Sequence, residues 1–207
     1  GLMKYDRFEN IIERLGEIIK HAESFDFSCV EALFHKRLFD MFDLVQSINP
    51  NIYLHVNTNG MLLTEDKIQK LLDREIYDIS FSLDGCTKHT VESFKIGANF
   101  EQIINNIKRL KELGEGRARI HTLFVAHKEN IRELLDYVDF CRDLGVMEIK
   151  VNGLWTHNMA MSMNSLWSVN GIPEIDELYR KAQARAEGYG IEWRHPETKM
   201  NPIGCFV

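Results

Sequence analysis

Five short segments concentrate polar side chains with useful chemistry: SCVEA (28–32), NTNG (57–60), SLDG (82–85), VAHKEN (125–130) and VNGLW (151–155). Glu31, Asn57, Asn59, Ser82, Asp84 and Asn152 supply carboxylate, amide and hydroxyl groups, the equipment for hydrogen-bonding a polar ligand. Taken singly each is weak, because Asn-Gly and Asp-Gly form turns for backbone reasons alone. Their recurrence at the ends of successive apolar runs is the signal. Other chemistries find less support. The four cysteines, Cys29, Cys86, Cys141 and Cys205, are too dispersed for a metal knuckle or a redox pair. Cys141 falls in a helical apolar pattern and reads as core. His35, His55, His89, His121, His127 and His157 show no metal-binding spacing. No nucleophile or acid–base pair can be picked out, which disfavours a hydrolase or isomerase. Trp155 reads as the seal of a core edge or a surface for stacking a base, and Met159, Met161 and Met163 as gap fillers.

The elements between these segments explain why they would meet. Phe8, Ile11, Ile12, Leu15, Ile18, Ile19 and Ala22 recur at helical spacing and predict one helix over 6–21. A short strand over 25–28 follows. A helix carrying Leu38, Met41, Phe42, Val45 and Ile48 stops at Asn49-Pro50. Alternating Ile52, Leu54 and Val56 make the next strand. Thr64 is placed to cap a helix, and Asn99/Gln102 and Asn130/Glu133 have capping-box spacing before two more. YDISFSLDG, ARIHTLFVAH and MEIKVNGLW are further strands, and Gly145 ends a helix. After Trp155 the pattern lapses into a loop or lid. A last helix spans 173–187, and IEWRH adds a strand. Such alternation predicts right-handed crossovers and a parallel sheet, whose ligands bind beyond the carboxyl ends of the strands.

Composition narrows the classes. With 207 residues, 44% hydrophobic, the chain can bury a core without disulfide or metal staples. A net charge of -6 argues against a broad nucleic-acid footprint. No apolar run approaches the ~20 residues needed to span a bilayer. The start GLMKYDRFEN lacks a secretory core, so a cytoplasmic location is expected.

The strand-end series resembles the radical S-adenosylmethionine (radical SAM) family over residues 8–155. SCVEALFH stands where the family has GGEPLLH, NTNG resembles its third-strand ending, and ISFSLDG its fourth. GANFEQIINNIKRLKELG and ENIRELLDYVDFCRDLGV are similar to the helices around its fifth strand. The resemblance implies an α/β fold, an incomplete parallel (β/α)6 TIM-like partial barrel over 1–193, followed by an irregular tail over 194–207. It implies S-adenosylmethionine and a [4Fe-4S] cluster as cofactors of the full-length protein.

Departures shape the expectation. The family's CxxxCxxC cluster loop is absent, so the chain looks as if it starts one strand late, with the cluster missing from it. Cys29, Val30 and Ala32 replace the usual Gly, Gly and Pro of the ligand turn. NPIGCFV resembles the entry to a SPASM or Twitch auxiliary cluster domain, with Cys205 as a candidate cluster ligand or a free thiol. That resemblance suggests a peptide or protein substrate. The resemblance assigns Glu31 to fixing the turn that receives the ligand's amino group, Ser82 to its methionine or ribose part, and Asn152 to adenine or ribose. Asn57 and Asn59 fix ligand or strand ends, Asn59 serving equally as a turn residue. Asp84 contacts the ligand or caps the next helix. The expected function is the central part of a radical SAM enzyme, inactive alone, that in full length cleaves the cofactor reductively and abstracts hydrogen. The alternative is a non-catalytic module on the same barrel. An exposed edge strand predicts a homodimer.

Overall fold

The computed structural model describes residues 2–27, 31–154 and 173–194. In chain order the elements are α1 (Tyr5–Arg14), α2 (Gly16–His21), β1 (Ser24–Phe27), α3 (Leu38–Ile48), β2 (Tyr53–Thr58), α4 (Glu65–Leu72) and β3 (Asp78–Ser82). Then come α5 (Lys88–Phe94), α6 (Phe100–Leu113), β4 (Arg119–Ala126), α7 (Leu134–Leu144), β5 (Glu148–Gly153), α8 (Pro173–Gly188) and β6 (Glu192–Arg194). Single 3-10 turns occupy Ala32–Phe34 and Ile131–Glu133. The six strands are parallel and follow chain order, β1 to β6, which is the topology of the partial TIM-like barrel expected from the sequence.

The chain divides into two compact units, Gly1–Phe81 with Gln102–Arg119, and Ser82–Glu101 with Ile120–Val207. In the first, β2 alternates strictly: Leu54, Val56 and Thr58 are buried, while Tyr53, His55 and Asn57 occupy the other face. The parallel register sets Asp26 against His55 and Asn57 against Ser80. Phe27 meets Phe42 edge-on at 4.6 Å, and Phe8 lies 6.0 Å from Phe27. Phe42, Val45, Val56, Ile68, Leu71, Ile79 and Ile107 are fully enclosed; each such side chain stabilises the fold by about 2 kcal/mol. In the second unit Ile120, Phe124, Leu134, Tyr137, Val138, Ile149 and Val151 form the corresponding core, with Cys141 fully buried among them as the sequence pattern predicts. There β5 sets Asn152 against Val125.

Three local expectations are revised. The helix predicted over 6–21 is two helices, because Leu15 leaves the helical region (φ -92, ψ 5) just before Gly16; glycine there weakens continuation. Thr64 sits at its N-cap position without a side-chain cap bond. At the start of α6 the Phe100 N–H donates to Glu92 at 3.0 Å, while Gln102 donates to the Met61 carbonyl at 3.0 Å instead of closing a box.

Residues 155–172, including Trp155, Met159, Met161 and Met163, lie outside the described residues, as do Cys29, Val30 and Cys205.

Candidate cofactor-binding site

In the first unit the site is built around Glu31. Its Oε1 accepts from the Thr58 hydroxyl at 2.8 Å and from the Leu33 N–H at 3.2 Å, and its Oε2 accepts from the Asn59 N–H at 2.7 Å. One carboxylate thus joins the turn after β1 to the exit of β2. All three donors are uncharged, and among the described residues no Lys or Arg pairs with Glu31. Its negative charge is left for a cation to answer.

The β2 exit is fixed from several directions. The Thr58 hydroxyl accepts from the Gly60 N–H at 3.0 Å, and Asn59 Oδ1 accepts from the Met61 N–H at 2.8 Å, an Asx turn. Asn106 donates to the Gly60 carbonyl at 2.8 Å. Gly60 has φ +80, and a Cβ there would stand 3.1 Å from Ile103 and 3.2 Å from Phe81. Conformation and close packing both select glycine. So the Asn59 side chain closes its own turn, while Asn57 remains half-buried on the polar face of β2.

Below Asn57 on that face, His55 Nδ1 lies 2.9 Å from Asp78 Oδ1. Asp78 is buried, accepts from the Tyr53 hydroxyl, and has the Arg119 guanidinium 3.6 Å away. The hydrogen bond to Asp78 raises the His55 pKa above its ordinary value; burial opposes this, and the Asp26 and Asp78 charges reinforce it. The sequence alone revealed no acid–base pair. The period-two pattern marks His55 and Asp78 as polar strand residues, but only the strand register brings them together.

In the second unit Asp84 is the organiser. Its Oδ1 accepts from the Val125 N–H at 2.9 Å, and its Oδ2 pairs with Lys95 Nζ at 3.1 Å. Lys95 also donates to the Ser82 carbonyl at 2.5 Å. Asn130, fully buried, donates to the carbonyls of Asp84 (2.9 Å) and Val125 (2.8 Å) and accepts from the His127 N–H at 2.8 Å. The capping-box spacing of Asn130 and Glu133 therefore serves another purpose. Glu133 accepts from Cys86 N (3.1 Å), from Thr87 Oγ1 (3.2 Å) and from the Thr90 hydroxyl, anchoring the start of α5. A Cβ on Gly85 would meet Thr90 at 2.7 Å, which accounts for the glycine of SLDG.

His127 stacks on Phe94 at 3.5 Å, and its Nδ1 accepts from the Glu129 N–H at 3.2 Å. Burial pushes its pKa down, against the opposing charges of Asp84 and Glu129, and so favours the neutral ring. Among the described residues the Ser82 hydroxyl and the Asn152 amide have no hydrogen-bond partner. Both are half-buried at strand ends, and both are available to a ligand. Thr58 and Lys95 escaped sequence reasoning, and Asn130 was read there only as a helix cap; a hydroxyl beside a strand-end amide was a usable sign for Thr58, whereas Lys95 lies one helix downstream of the strand it serves.

No group of three or more His, Cys, Asp or Glu among the described residues could hold a metal ion. The two described thiols are poor ligands besides: burial pushes Cys86 and Cys141 each up to about 12, and cluster iron is held by thiolates. A [4Fe-4S] cluster does not fit the described residues. An S-adenosylmethionine amino group fits the Glu31 carboxylate of the first unit, with which no described Lys or Arg pairs, and an amide such as Asn57 in that unit can hydrogen-bond its oxygens.

The chain is 25% identical over its whole length to the tungsten-containing aldehyde ferredoxin oxidoreductase cofactor-modifying protein of Pyrococcus furiosus, covering 58% of that protein. It is 27% identical to a probable GTP 3',8-cyclase of Methanocaldococcus jannaschii, over 65% of this chain and 46% of that one. It thus spans about half the length of the curated relatives it matches. Native anSMEcpe, solved with bound AdoMet and Cp18Cys peptide, shares the fold: TM-score 0.72 at 16% identity, over 94% of this chain and 56% of that one. No described helix is long and apolar enough to cross a membrane. The family model that matches, over residues 1–141, is that of the Radical SAM superfamily, whose members use S-adenosylmethionine and a [4Fe-4S] cluster. On that match, which takes in the Glu31, Asn57, Ser82 and Asp84 strand ends, the chain belongs to the Radical SAM superfamily.

Proposed function

We propose that this chain is the S-adenosylmethionine-binding portion of an enzyme that, as a whole protein, cleaves the cofactor reductively and abstracts hydrogen from a substrate. The observation that carries this reading is the Glu31 carboxylate: three neutral donors hold it in place, and no described cation neutralises it. Glu31 receives the amino group of the ligand. Its links to Thr58 and Asn59 keep the receiving turn in register with the β2 exit. Asn57 contacts the methionine moiety, Ser82 the methionine or ribose part, and Asn152 the ribose or adenine. Asp84 acts through its neighbours, since Val125, Lys95 and Asn130 occupy it. Cluster ligands come from outside the described residues, with Cys205 one candidate, and the chain alone does not turn over.

The substrate is a peptide or protein. AdoMet and a peptide accompany the fold in anSMEcpe, which supports the reading by analogy of fold alone.

Calorimetric titration with S-adenosylmethionine tests the proposal. Saturable binding is expected, abolished in Glu31→Ala and weakened in Glu31→Gln, which keeps an acceptor but not the charge. Affinity unchanged in Glu31→Ala would overturn it.

A further inference from the structure

The turn that carries Glu31 is fastened at its far end by contacts that the cofactor assignment does not use. Glu31 caps the 3-10 turn Ala32–Phe34 through the Leu33 N–H, and the His35 N–H closes that turn by donating to the Ala32 carbonyl at 3.0 Å. Lys67 of α4 donates to the Leu33 carbonyl at 2.8 Å. The His35 ring then ties the turn to the segment just before α1. Its Nδ1 accepts the Arg37 N–H at 3.1 Å, and its Nε2 lies 2.9 Å from the Met3 carbonyl oxygen. A main-chain N–H can only donate, so Nδ1 carries no proton; the ring proton sits on Nε2 and is given to Met3. Two residues further along each segment, the Arg37 guanidinium lies over the Tyr5 ring, 3.5 Å from its centroid. Residues 3 and 5 thus grip residues 35 and 37, all within the first unit.

We propose that His35 is a positioning residue for the cofactor turn: by fastening Met3 to the end of the 3-10 turn, it holds the Glu31 carboxylate in place for the ligand. This rests on Glu31 receiving the amino group of S-adenosylmethionine, as assigned above. The path between the two residues is short and stiff. The N–H groups of Leu33, Phe34 and His35 all bond back within the turn, to Glu31 Oε1, the Glu31 carbonyl and the Ala32 carbonyl. A displacement of His35 is therefore passed to Glu31 rather than absorbed between them. Glu31 in turn holds the Thr58 hydroxyl and the Asn59 N–H, so the grip on Met3 reaches the β2 exit through one carboxylate. Preorganising that carboxylate spares the ligand the cost of ordering it on binding.

The test exploits the two ring nitrogens separately. His35→Asn places an amide oxygen near the Nδ1 position, keeping the acceptor for Arg37 but falling short of Met3. His35→Gln places an amide nitrogen near the Nε2 position, keeping the donor to Met3. Hydrogen exchange at the Leu33 and Asn59 N–H groups reads the Glu31 contacts, and calorimetric titration with S-adenosylmethionine reads the affinity of the folded chain, which global stability alone does not move. His35→Asn should speed both exchanges and raise the dissociation constant about two- to tenfold, the worth of one net hydrogen bond. His35→Gln should stay close to wild type in both. Nitrogen NMR of the wild-type ring under mildly alkaline conditions, which needs no variant, should show the proton on Nε2. A proton on Nδ1, exchange or affinity unchanged in His35→Asn, or equal losses in the two variants would overturn the inference. Absence of cofactor binding in the wild-type chain, with the exchange pattern as expected, overturns the cofactor assignment instead and leaves the fastening of the turn standing.

Discussion

Glu31 Oε2 accepts the main-chain N–H of Asn59 at 2.7 Å, which ties the turn after β1 to the residue that follows β2. The contact is a hydrogen bond to a charged acceptor, and such bonds contribute roughly 1.5–3 kcal/mol. Glu31→Ala removes this bond and two others, and should lower unfolding stability by roughly 2–3 kcal/mol in a denaturant titration. Glu31→Gln should recover only part of that loss, since its single amide oxygen replaces one of the two accepting oxygens, and should leave the cofactor affinity reduced. Equal losses of stability in both variants would contradict the hydrogen-bonding role.

Asn130 makes three hydrogen bonds in a fully buried position. Asn130→Ala should cost about 2–3 kcal/mol, because buried main-chain groups lose their partners. Asn130→Asp keeps the acceptor for His127 but removes the donor and adds a charge near Asp84; it should be at least as damaging. Thermal unfolding of the two variants checks the order.

The raised His55 pKa gives stability a pH signature. The folded value lies above the unfolded one near 6.5, so the contribution is fully present below about pH 6.5 and is lost as pH rises through the folded value. Asp78→Asn removes the largest cause and should flatten that part of the curve. A wild-type stability that rises through the same window would contradict the assignment.

Cys86 and Cys141 should react slowly with iodoacetamide at neutral pH while the chain is folded, since the thiolate is the nucleophile and burial pushes both thiols up to about 12. Replacing each by Ser should leave the iron content of the anaerobically prepared whole protein unchanged. A loss of iron in either variant would make that cysteine a cluster ligand.

β1 stands first in the strand order, and among the described residues its second edge carries no strand. A dimer of this chain through that edge is expected in light scattering. A single species of monomer mass at high concentration would count against it.

Much of the fold was legible because burial enforces periodicity. The β2 alternation, the apolar stripe of α7 and the left-handed Gly145 (φ 69) all follow from the sequence pattern. The strand-end residues were legible as positions, since Glu31, Asn57 and Ser82 each close an apolar run. Their partners were not. Gln102, Asn130 and Glu133 have the spacing of capping boxes, yet each side chain spans from about 40 to nearly 50 residues of chain to serve another element. A local pattern cannot encode a bond whose acceptor is fixed only by tertiary packing. The His55–Asp78 pair escaped for the same reason: parity places each on the polar face, and register alone decides that they meet.

The carboxylate of Glu133 reaches Cys86 and Thr87, 47 and 46 residues earlier in the chain. Thr87 receives the Thr90 N–H itself, at 3.2 Å, as soon as those few residues exist. A ribosome must therefore deliver the whole of α6 and β4 before the second tether at the front of α5 can form. During synthesis that helix waits on a single local cap, and a nascent chain stalled before residue 133 should offer proteases the segment around 86–94.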